Sequence, residues 1–282
     1  MKIGEGTFQN AYRHHGFRPN KKGITMKLQP KPRPFRQFIL ISLSSMLLYS
    51  SPNMFAQEPG TAELDKIKSL FEKPEPIIWL LTGDSITHGA FHTHGYRSYP
   101  EHFAERVRWE MRRMRDIVIN TGISGNRVPG LATDLDHRVL RFKPTVVSIM
   151  MGMNDATAGP EGREAFRAAY IELVDRLRDE SNALILLHTP NPITPAATGR
   201  SDLPAYAQIV REVALDREVA LCDQEKIWQE HVTNNKSDLN YLLNDGTIHP
   251  NGSGHVLFAH NFFKTLGIHD PASNTGRLYV PQ

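Results

Sequence analysis

The sequence predicts an α/β fold in which a five-stranded parallel sheet carries helices on both faces, making three layers. From residue 77 onward, short apolar runs alternate with longer amphipathic stretches. This alternation predicts right-handed strand–helix–strand units, and such units build parallel sheets. Residues 146–151 are almost continuously apolar, as expected for a strand that is buried on both faces. Five strands in this rhythm are typical of a flavodoxin-like domain.

The predicted strands are the short apolar runs, and the predicted helices have apolar residues three or four positions apart. The strands are expected at 77–82, 117–120, 146–151, 183–187 and 219–222. The helices are expected at 99–114, 131–142, 163–178, 203–215 and 253–266. In the first helix, the residues expected to face the core are Phe103, Val107, Met111 and Met114.

Length and charge divide the chain into a basic leader and a mildly acidic body. The 282 residues suffice for one large domain behind a leader at 1–56 and a connector at 57–75. The main domain is expected at 76–270, followed by an extended tail at 271–282. Nine basic residues and one acidic residue give the leader a charge of +8, so the remainder carries −5 within a total of +3. An acidic body gives no electrostatic reason to expect nucleic acid as a partner.

The leader has the features of a secretion signal. Basic residues at 31–36 precede an apolar core at 38–49, and cleavage is expected after Ala56. Met26 is an alternative start, because the stretch from Met26 to Ala56 has a normal signal length. The apolar core is short for a membrane span, so we expect a secreted or periplasmic protein with no stable membrane insertion after cleavage. An uncleaved membrane anchor is the alternative.

A turn that contains glycine and serine follows the first predicted strand, at residues 83–87 (GDSIT). An open α/β sheet presents a nucleophile at such a place, so Ser85 is the predicted nucleophile. Asp84 is expected to shape this turn by bonding to the backbone. His249, in the segment 245–250 (DGTIHP), is the predicted general base, because an imidazole titrates near neutral pH. Taken alone, Ser85 also fits a helix cap, and His249 also fits an exposed loop histidine.

Two further blocks, Ser-Gly-Asn and Gly-Met-Asn-Asp, lie between the serine and the histidine. In this order the four blocks resemble the SGNH branch of the GDSL hydrolases, over roughly residues 77–267. The resemblance implies a serine esterase whose oxyanion hole consists of the backbone N–H groups of Ser85 and Gly125 and the side-chain amide of Asn154. Gly122 is a competitor for the role of Gly125, and Asn154 also fits a helix cap.

The acidic member departs from the family pattern. The family usually places an aspartate three residues before the histidine, where this chain has Gly246, whereas Asp245 lies four residues before His249. We predict that Asp245 orients the imidazole and that the turn at Gly246 absorbs the extra residue, because glycine tolerates unusual dihedral angles. The alternatives are Asp223, at the end of the fifth predicted strand, and a serine–histidine pair completed by a backbone carbonyl.

The segment that follows the nucleophile is predicted to bind substrate. Its Gly-Tyr-Arg sequence resembles a segment of carbohydrate esterases in the same superfamily, so Tyr96, Arg97 and His88 are expected to contact the substrate. His92 and His94 complete a cluster of histidines. No carboxylate or cysteine joins this cluster at ligand spacing, so we expect no metal.

These features predict an exported serine esterase that needs no cofactor. The expected substrate is a small-molecule or polysaccharide ester, and an acetyl group on a sugar is preferred because of the export signal, the Gly-Tyr-Arg segment and the lack of an apolar lid. The proline-rich loop at 189–203 is expected to rim the site. The alternatives are a lysophospholipase or thioesterase of the same superfamily, and a catalytically silent carbohydrate-binding protein on this fold.

Overall fold

Five parallel strands form one sheet, which confirms the predicted fold class. A computed structural model describes residues 61–89 and 91–281 of the chain. The strands are β1 (Ile78–Gly83), β2 (Ile117–Asn120), β3 (Val146–Met150), β4 (Leu184–His188) and β5 (Ala220–Cys222). Their spatial order is β2-β1-β3-β4-β5, and all neighbours pair in parallel. The predicted leader at 1–56 lies outside the described residues, so its secretion signal stays a prediction.

Helices pack on the sheet in two groups, as a doubly wound sheet requires. The α-helices are α1 (Thr61–Ser69), α2 (Ser85–His88), α3 (Tyr99–Ala104), α4 (Val128–Thr133), α5 (Leu135–Arg138), α6 (Arg163–Glu180), α7 (Leu203–Asp216), α8 (Gln224–Asn234) and α9 (Gly252–Leu266). Helix α6 contacts α4 and α7 in one group, and α1, α3 and α8 contact α9 in the other. Short 3₁₀ segments lie at Leu70–Glu72, Leu140–Phe142, Asp155–Ala158, Pro160–Gly162, Thr198–Arg200 and Leu239–Leu242.

The centre of the sheet is the best buried part of the chain. Every residue of β3 is buried, and in β1 only Ile78 is partly exposed. Burying one large apolar side chain stabilises the folded state by about 1.5–3 kcal/mol. The buried side chains of β1 and β3 therefore make this centre a stable support for the loops that follow these strands. The edge strand β2 is half exposed along its length. The carboxyl ends of β1 and β3 lie side by side, and the loops that follow them carry the predicted chemistry.

The helix predicted at 99–114 is shorter than expected, and its last apolar residue is misplaced. After α3 the chain widens into a π-helical segment at Glu105–Glu110, in which the Met111 N–H donates to the Arg106 carbonyl. A π-helical hydrogen bond spans one more residue than an α-helical one. Apolar residues three or four positions apart therefore no longer lie on one face of the helix beyond this segment. Met114 is consequently 63% exposed, and the prediction that it faces the core is wrong.

The helix predicted at 131–142 is also different, because it begins earlier and is broken. Pro129 lies in the first turn of α4, a position that proline favours, so the helical segment starts at Val128. Val139 then leaves helical geometry, with φ −130° and ψ −63°. The break lies beside Arg138, whose buried guanidinium donates to the carbonyl of Gly83. Tertiary contacts therefore override the periodic pattern here.

Two segments without predicted helices or strands pack against the domain. In the predicted connector, α1 places Ile67 in the core, and Glu63 accepts a 2.6 Å hydrogen bond from the Ile185 N–H. Residues 271–277 of the predicted extended tail form turns instead. Thr275 is buried there, because its N–H and hydroxyl both donate to the Glu110 carboxylate, at 2.7 and 2.6 Å. Within the described part of the chain, every helix is too short or too polar to cross a membrane.

Candidate active site

Ser85 lies on a tight turn between β1 and α2, which we call the nucleophile turn (residues 83–87). The Asp84 carboxylate caps α2 by accepting a 3.0 Å hydrogen bond from the Ile86 N–H. Gly83 has no space for a side chain, because a Cβ there would lie 2.4 Å from the Met150 carbonyl oxygen. Ser85 is only 7% exposed. The end of the sheet therefore fixes the position of this hydroxyl.

The structure brings the predicted serine, histidine and aspartate into one chain of hydrogen bonds. Ser85 Oγ lies 3.0 Å from His249 Nε2, although the two residues are 164 positions apart. On the other side of the ring, His249 Nδ1 lies 2.5 Å from Asp245 Oδ2. This is the arrangement in which an imidazole takes a proton from a serine while a carboxylate fixes its tautomer.

Asp245 also organises the loop that carries the histidine, which we call the histidine loop (residues 243–250). Its Oδ1 atom accepts hydrogen bonds from the N–H groups of Thr247, Ile248 and His249, at 2.9, 2.8 and 3.1 Å. Gly246 has φ +66°, a conformation that glycine adopts readily, so the turn absorbs the extra residue. Burial opposes ionisation, but hydrogen bonds from the imidazole and the backbone outweigh it and hold the pKa of Asp245 well below its usual range.

The alternative acid, Asp223, is engaged elsewhere. Its carboxylate accepts two 2.8 Å hydrogen bonds from the Arg211 guanidinium and one of 3.1 Å from the Thr189 hydroxyl. It also caps α8 by accepting from the Lys226 N–H. The structure therefore brings Asp245, and not Asp223, into contact with His249.

Two of the three predicted oxyanion donors are free to bind a substrate. Within residues 61–89 and 91–281, the backbone N–H groups of Ser85 and Gly125 have no protein acceptor. Gly125 has φ +78° and faces open space. Its competitor Gly122 is a point of close approach instead, because a Cβ there would lie 2.4 Å from the backbone nitrogen of His88. The geometry therefore favours Gly125 over Gly122 for this role.

The third predicted donor, Asn154, is held by groups that set the orientation of its amide. Its Nδ2 donates to the Asn126 carbonyl at 3.0 Å, and its Oδ1 accepts from the Arg200 guanidinium at 3.2 Å. Arg200 also donates to the Met153 carbonyl at 3.0 Å. Because arginine can only donate, it fixes which end of the amide is the oxygen. Sequence reasoning missed Arg200, although it lies in the loop predicted to rim the site.

The proline-rich loop at 189–203 also supports the histidine loop directly. Asn191 donates to the Ile248 carbonyl at 3.1 Å, and the Thr194 hydroxyl donates to the Gly246 carbonyl at 2.6 Å. The Thr194 N–H donates to the Thr247 carbonyl at 3.1 Å. This loop therefore holds the backbone next to the histidine, in addition to bounding the site.

His92 stacks on the ring of His249, with ring centroids 3.5 Å apart and an angle of 4° between the planes. Burial, followed by the neighbouring His249, lowers the pKa of His92, which keeps it neutral at neutral pH. His92, Asp245 and His249 could each offer an atom to a metal ion within 4.8 Å of the others. Imidazole lone pairs lie in the ring plane, so two parallel stacked rings do not point at one ion. Nothing in the local sequence pattern signals this stacking.

The predicted substrate-binding residues lie in two places, with His88 in one and Tyr96 and Arg97 in the other. The exposed His88 has its Nδ1 atom 3.1 Å from Ser124 Oγ, beside the Ser-Gly-Asn block. Tyr96 and Arg97 line a groove of about 700 Å³ that also includes His92. Arg97 forms a 3.4 Å ion pair with Glu105 in the same groove. The described histidines His92 and His94 both line this groove, and His88 does not.

Comparison with known proteins agrees with these motifs. Residues 81–257, more than half of the chain, match the model of the GDSL-like Lipase/Acylhydrolase family. An acetylxylan esterase from Geobacillus stearothermophilus is 27% identical over 163 residues, which are 53% of this chain and 72% of that protein. A protein of Mycoplasma pneumoniae is 24% identical over 211 residues, which are 67% of this chain but only 24% of that protein.

Solved structures share the fold. An alpha/beta hydrolase enzyme from the metagenome of Lake Arreo has a TM-score of 0.59 at 24% identity, covering 69% of this chain and 96% of that one. The acetylxylan esterase from Geobacillus stearothermophilus has a TM-score of 0.57 at 23% identity, covering 68% of this chain and 94% of that one. The family match and the sheet order together confirm the predicted superfamily. The chain belongs to the GDSL-like lipase/acylhydrolase family, and its domain is that of a carboxylic ester hydrolase.

Proposed function

We propose that this protein is an exported serine esterase that removes short acyl groups, acetyl foremost, from sugars or polysaccharides. The observation that carries this proposal is the chain of contacts from Ser85 Oγ through His249 to Asp245, with distances of 3.0 and 2.5 Å. A serine hydroxyl is a poor nucleophile without an adjacent base, and the base works best when a carboxylate orients it. This one set of contacts meets both requirements.

The geometry supports a two-step reaction. Ser85 Oγ attacks the ester carbonyl carbon while its proton passes to His249 Nε2, and the carbonyl oxygen becomes an oxyanion. The N–H groups of Ser85 and Gly125 and the amide of Asn154 stabilise that oxyanion. His249 then gives the proton to the departing sugar hydroxyl, which leaves an acyl-serine. Water attacks the acyl-serine with His249 as base, and this step releases the acid and restores the serine.

The substrate and the export rest on separate observations. The similar protein from Geobacillus stearothermophilus is described as an acetylxylan esterase, which supports an acetylated carbohydrate as substrate.

The basic and apolar pattern of residues 31–49 supports export through a cleaved signal. Mass spectrometry of the protein exported from its host tests whether the signal is cleaved. A mature chain starting at residue 57 is expected, and retention of residues 38–49 contradicts the proposal.

A fluorophosphonate probe tests the chemistry, because it labels only an activated serine. Ser85 is expected to be labelled, and Ser85→Ala should remove the label. Ser124→Ala is the matched control, since Ser124 also contacts a histidine, His88, within the same site. Within residues 61–89 and 91–281, His88 has no carboxylate as a hydrogen-bond partner, so Ser124 should not react. A folded protein that takes no label favours the catalytically silent carbohydrate-binding protein instead.

Hydrolysis rates across a series of p-nitrophenyl esters test the acyl group. Acetate is expected to be the best substrate, followed by acetate release from acetylated sugars. A clear preference for octanoate or longer esters contradicts the acetyl proposal and favours the lysophospholipase or thioesterase alternative. Together with the probe, this series distinguishes an inactive protein from an esterase of different specificity.

A further inference from the structure

The groove that contains Tyr96 and Arg97 does not contain Ser85, so the reaction itself leaves this space unused. We call it the flanking groove. One wall is the segment from His92 to Glu105, another is the start of α9, and the third is the tail. Its volume of about 700 Å³ lies within the range of about 300–1,000 Å³ that is usual for small-molecule sites.

The flanking groove begins next to the reacting histidine. His92 lines the groove and stacks on His249 with a ring separation of 3.5 Å, while His249 contacts Ser85 at 3.0 Å. Asn251, two residues beyond His249, also lines the groove. A ligand that extends from the ester bond at Ser85 past His92 would therefore enter this space. His92 is therefore shared by the groove wall and by the surroundings of the reacting histidine.

The lining of the groove suits a neutral sugar chain. Tyr96 and Tyr279 are 72% and 73% exposed, and each presents an aromatic ring on the groove wall. Aromatic rings offer an apolar face with a polar tip, and the C–H face of a sugar ring packs on such a surface. The amide of Asn244 can donate to and accept from hydroxyl groups, and the amide nitrogen of Asn274 can donate to them. Arg97 and Glu105 neutralise each other, so the groove carries no strong preference for an anion.

The groove is fixed in place by contacts on its two outer walls. Thr275 binds the Glu110 carboxylate twice, and its carbonyl accepts a 2.9 Å hydrogen bond from His260 Nε2. Near the end of the tail, the Pro281 carbonyl accepts a 2.8 Å bond from His231. On the opposite wall, Tyr96 lies against Gly252, where a Cβ would be 2.9 Å from the Cβ of the tyrosine. Tyr96 is thus packed against α9, and the tail segment that carries Tyr279 is anchored on both sides of it by hydrogen bonds.

We propose that the flanking groove binds the sugar units next to the acetylated one, so that the enzyme prefers acetylated oligosaccharides to acetylated monosaccharides. This inference rests on the proposed esterase function. The tail wall, with Asn274, Leu278 and Tyr279, lies beyond the residues 81–257 that match the family model. This wall of the groove is therefore a part of the chain that the family model does not cover.

The test compares Tyr96→Ala, Tyr279→Ala and the double variant with Tyr241→Ala. Tyr241 is the matched control, because it is a tyrosine with 62% exposure that does not line the groove. The substrates are p-nitrophenyl acetate and acetylated β-1,4-linked xylose chains of one to five units. For the wild type, kcat/KM is expected to rise at least tenfold from one unit to four. Each groove variant should lose about three- to tenfold on the longer chains, and Tyr279→Ala should lose nothing on p-nitrophenyl acetate.

The outcomes distinguish a failure of the groove proposal from a failure of the proposed esterase function. The groove proposal is overturned if the wild type has equal kcat/KM for one and four units, or if the groove variants match Tyr241→Ala on long chains. Either result leaves the proposed esterase function intact. Hydrolysis of p-nitrophenyl acetate without release from any acetylated sugar overturns the proposed substrate and the groove together. If Tyr279→Ala also loses activity on p-nitrophenyl acetate, the tail supports the reaction site, which contradicts a role of Tyr279 confined to sugar binding.

Discussion

Ser85 lies on a turn that the sheet fixes, whereas His249 lies on a surface loop that the Asp245 carboxylate and the neighbouring proline-rich loop hold. The nucleophile turn follows a buried strand, and Asp84 and Thr87 on it are almost fully buried. The histidine loop contains an isolated bridge between Leu243 and Pro250 but no longer strand or helix. The nucleophile therefore depends on the core of the protein, and the base depends on hydrogen bonds within and between surface loops.

The two aspartates that flank this pair show the same difference. Burial, which the Ile86 hydrogen bond only partly offsets, raises the pKa of Asp84 to about 7. Asp245 is also partly buried, but the imidazole and three backbone N–H groups hold its pKa well below the usual range. Asp84 therefore binds a proton far more readily than Asp245 does. Burial with few compensating donors raises one pKa, and several donors to the carboxylate lower the other.

The largest effect is expected for Asp245→Asn. The asparagine oxygen can still accept from the three backbone N–H groups, but the charge that stabilises the imidazolium is lost. We expect kcat to fall about 10⁴-fold while the loop keeps its structure, as for the equivalent change in other serine hydrolases. Asp223→Asn is the control, and it should leave kcat unchanged while weakening the pair with Arg211. If Asp223→Asn is the inactive variant, the assignment of the acid is wrong.

The next effect is expected for Asn154→Ala, which removes one oxyanion donor. The loss of such a donor typically costs about 3–4 kcal/mol, so kcat should fall about 10²–10³-fold with little change in KM. Steady-state rates with p-nitrophenyl acetate measure this. A change in KM alone would mean that Asn154 binds the substrate and the transition state equally, which contradicts its proposed role.

A smaller effect is expected for Arg200→Gln, because Arg200 acts through Asn154. Without the guanidinium the amide can turn, and losing one charge-assisted hydrogen bond of about 1.5 kcal/mol predicts a roughly tenfold lower kcat at constant KM. Arg200→Lys should restore part of the rate. The control is Arg127→Gln, since Arg127 donates to Thr157 nearby without contacting Asn154. Equal rates for the Arg200 and Arg127 variants would show that Arg200 does not position the amide.

The smallest effect on activity, but a clear one on stability, is expected for Asp84→Asn. Because the pKa of Asp84 is raised in the folded protein, its contribution to stability is present below about pH 4 and is lost as the pH rises to about 7. The variant lacks this titration and its amide oxygen can keep the cap of α2, but its amide nitrogen replaces the oxygen that accepts a 3.4 Å hydrogen bond from Asn154 Nδ2. We expect it to be more stable than the wild type at pH 8 by about 2–4 kcal/mol, with no gain at pH 4. Urea unfolding at both pH values measures this, and a constant difference across pH contradicts the raised pKa.

The parts of the structure that depend on local pattern could be predicted from the sequence. Ser85, His249 and Asp245 stand out because each is a reactive residue type in a short block with glycine beside it. The five strands stand out because buried strands are short apolar runs. Helix α8 does not stand out, because its few buried residues are mixed with polar ones. Met114 was misplaced because the π-helical turn before it cannot be seen in an apolar spacing.

The parts that depend on distant contacts could not be predicted. Arg200 reaches Asn154 across 46 positions, and no spacing rule links an arginine in one loop to an amide in another. The stacking of His92 on His249 spans an even longer separation. The tail forms a wall of the flanking groove because Thr275 pairs with Glu110, which is 165 positions away. Local periodicity carries no information about such pairs.

The amide protons of Thr247, Ile248 and His249 all bond to Asp245 Oδ1, so their exchange with solvent reports whether the histidine loop is closed. When the loop opens, these protons exchange with solvent and the imidazole loses its partner at the same moment. The rate of hydrogen–deuterium exchange at these three positions should therefore report the fraction of molecules that lack a functioning base. Temperature or denaturant would then abolish turnover well before the sheet that holds Ser85 unfolds.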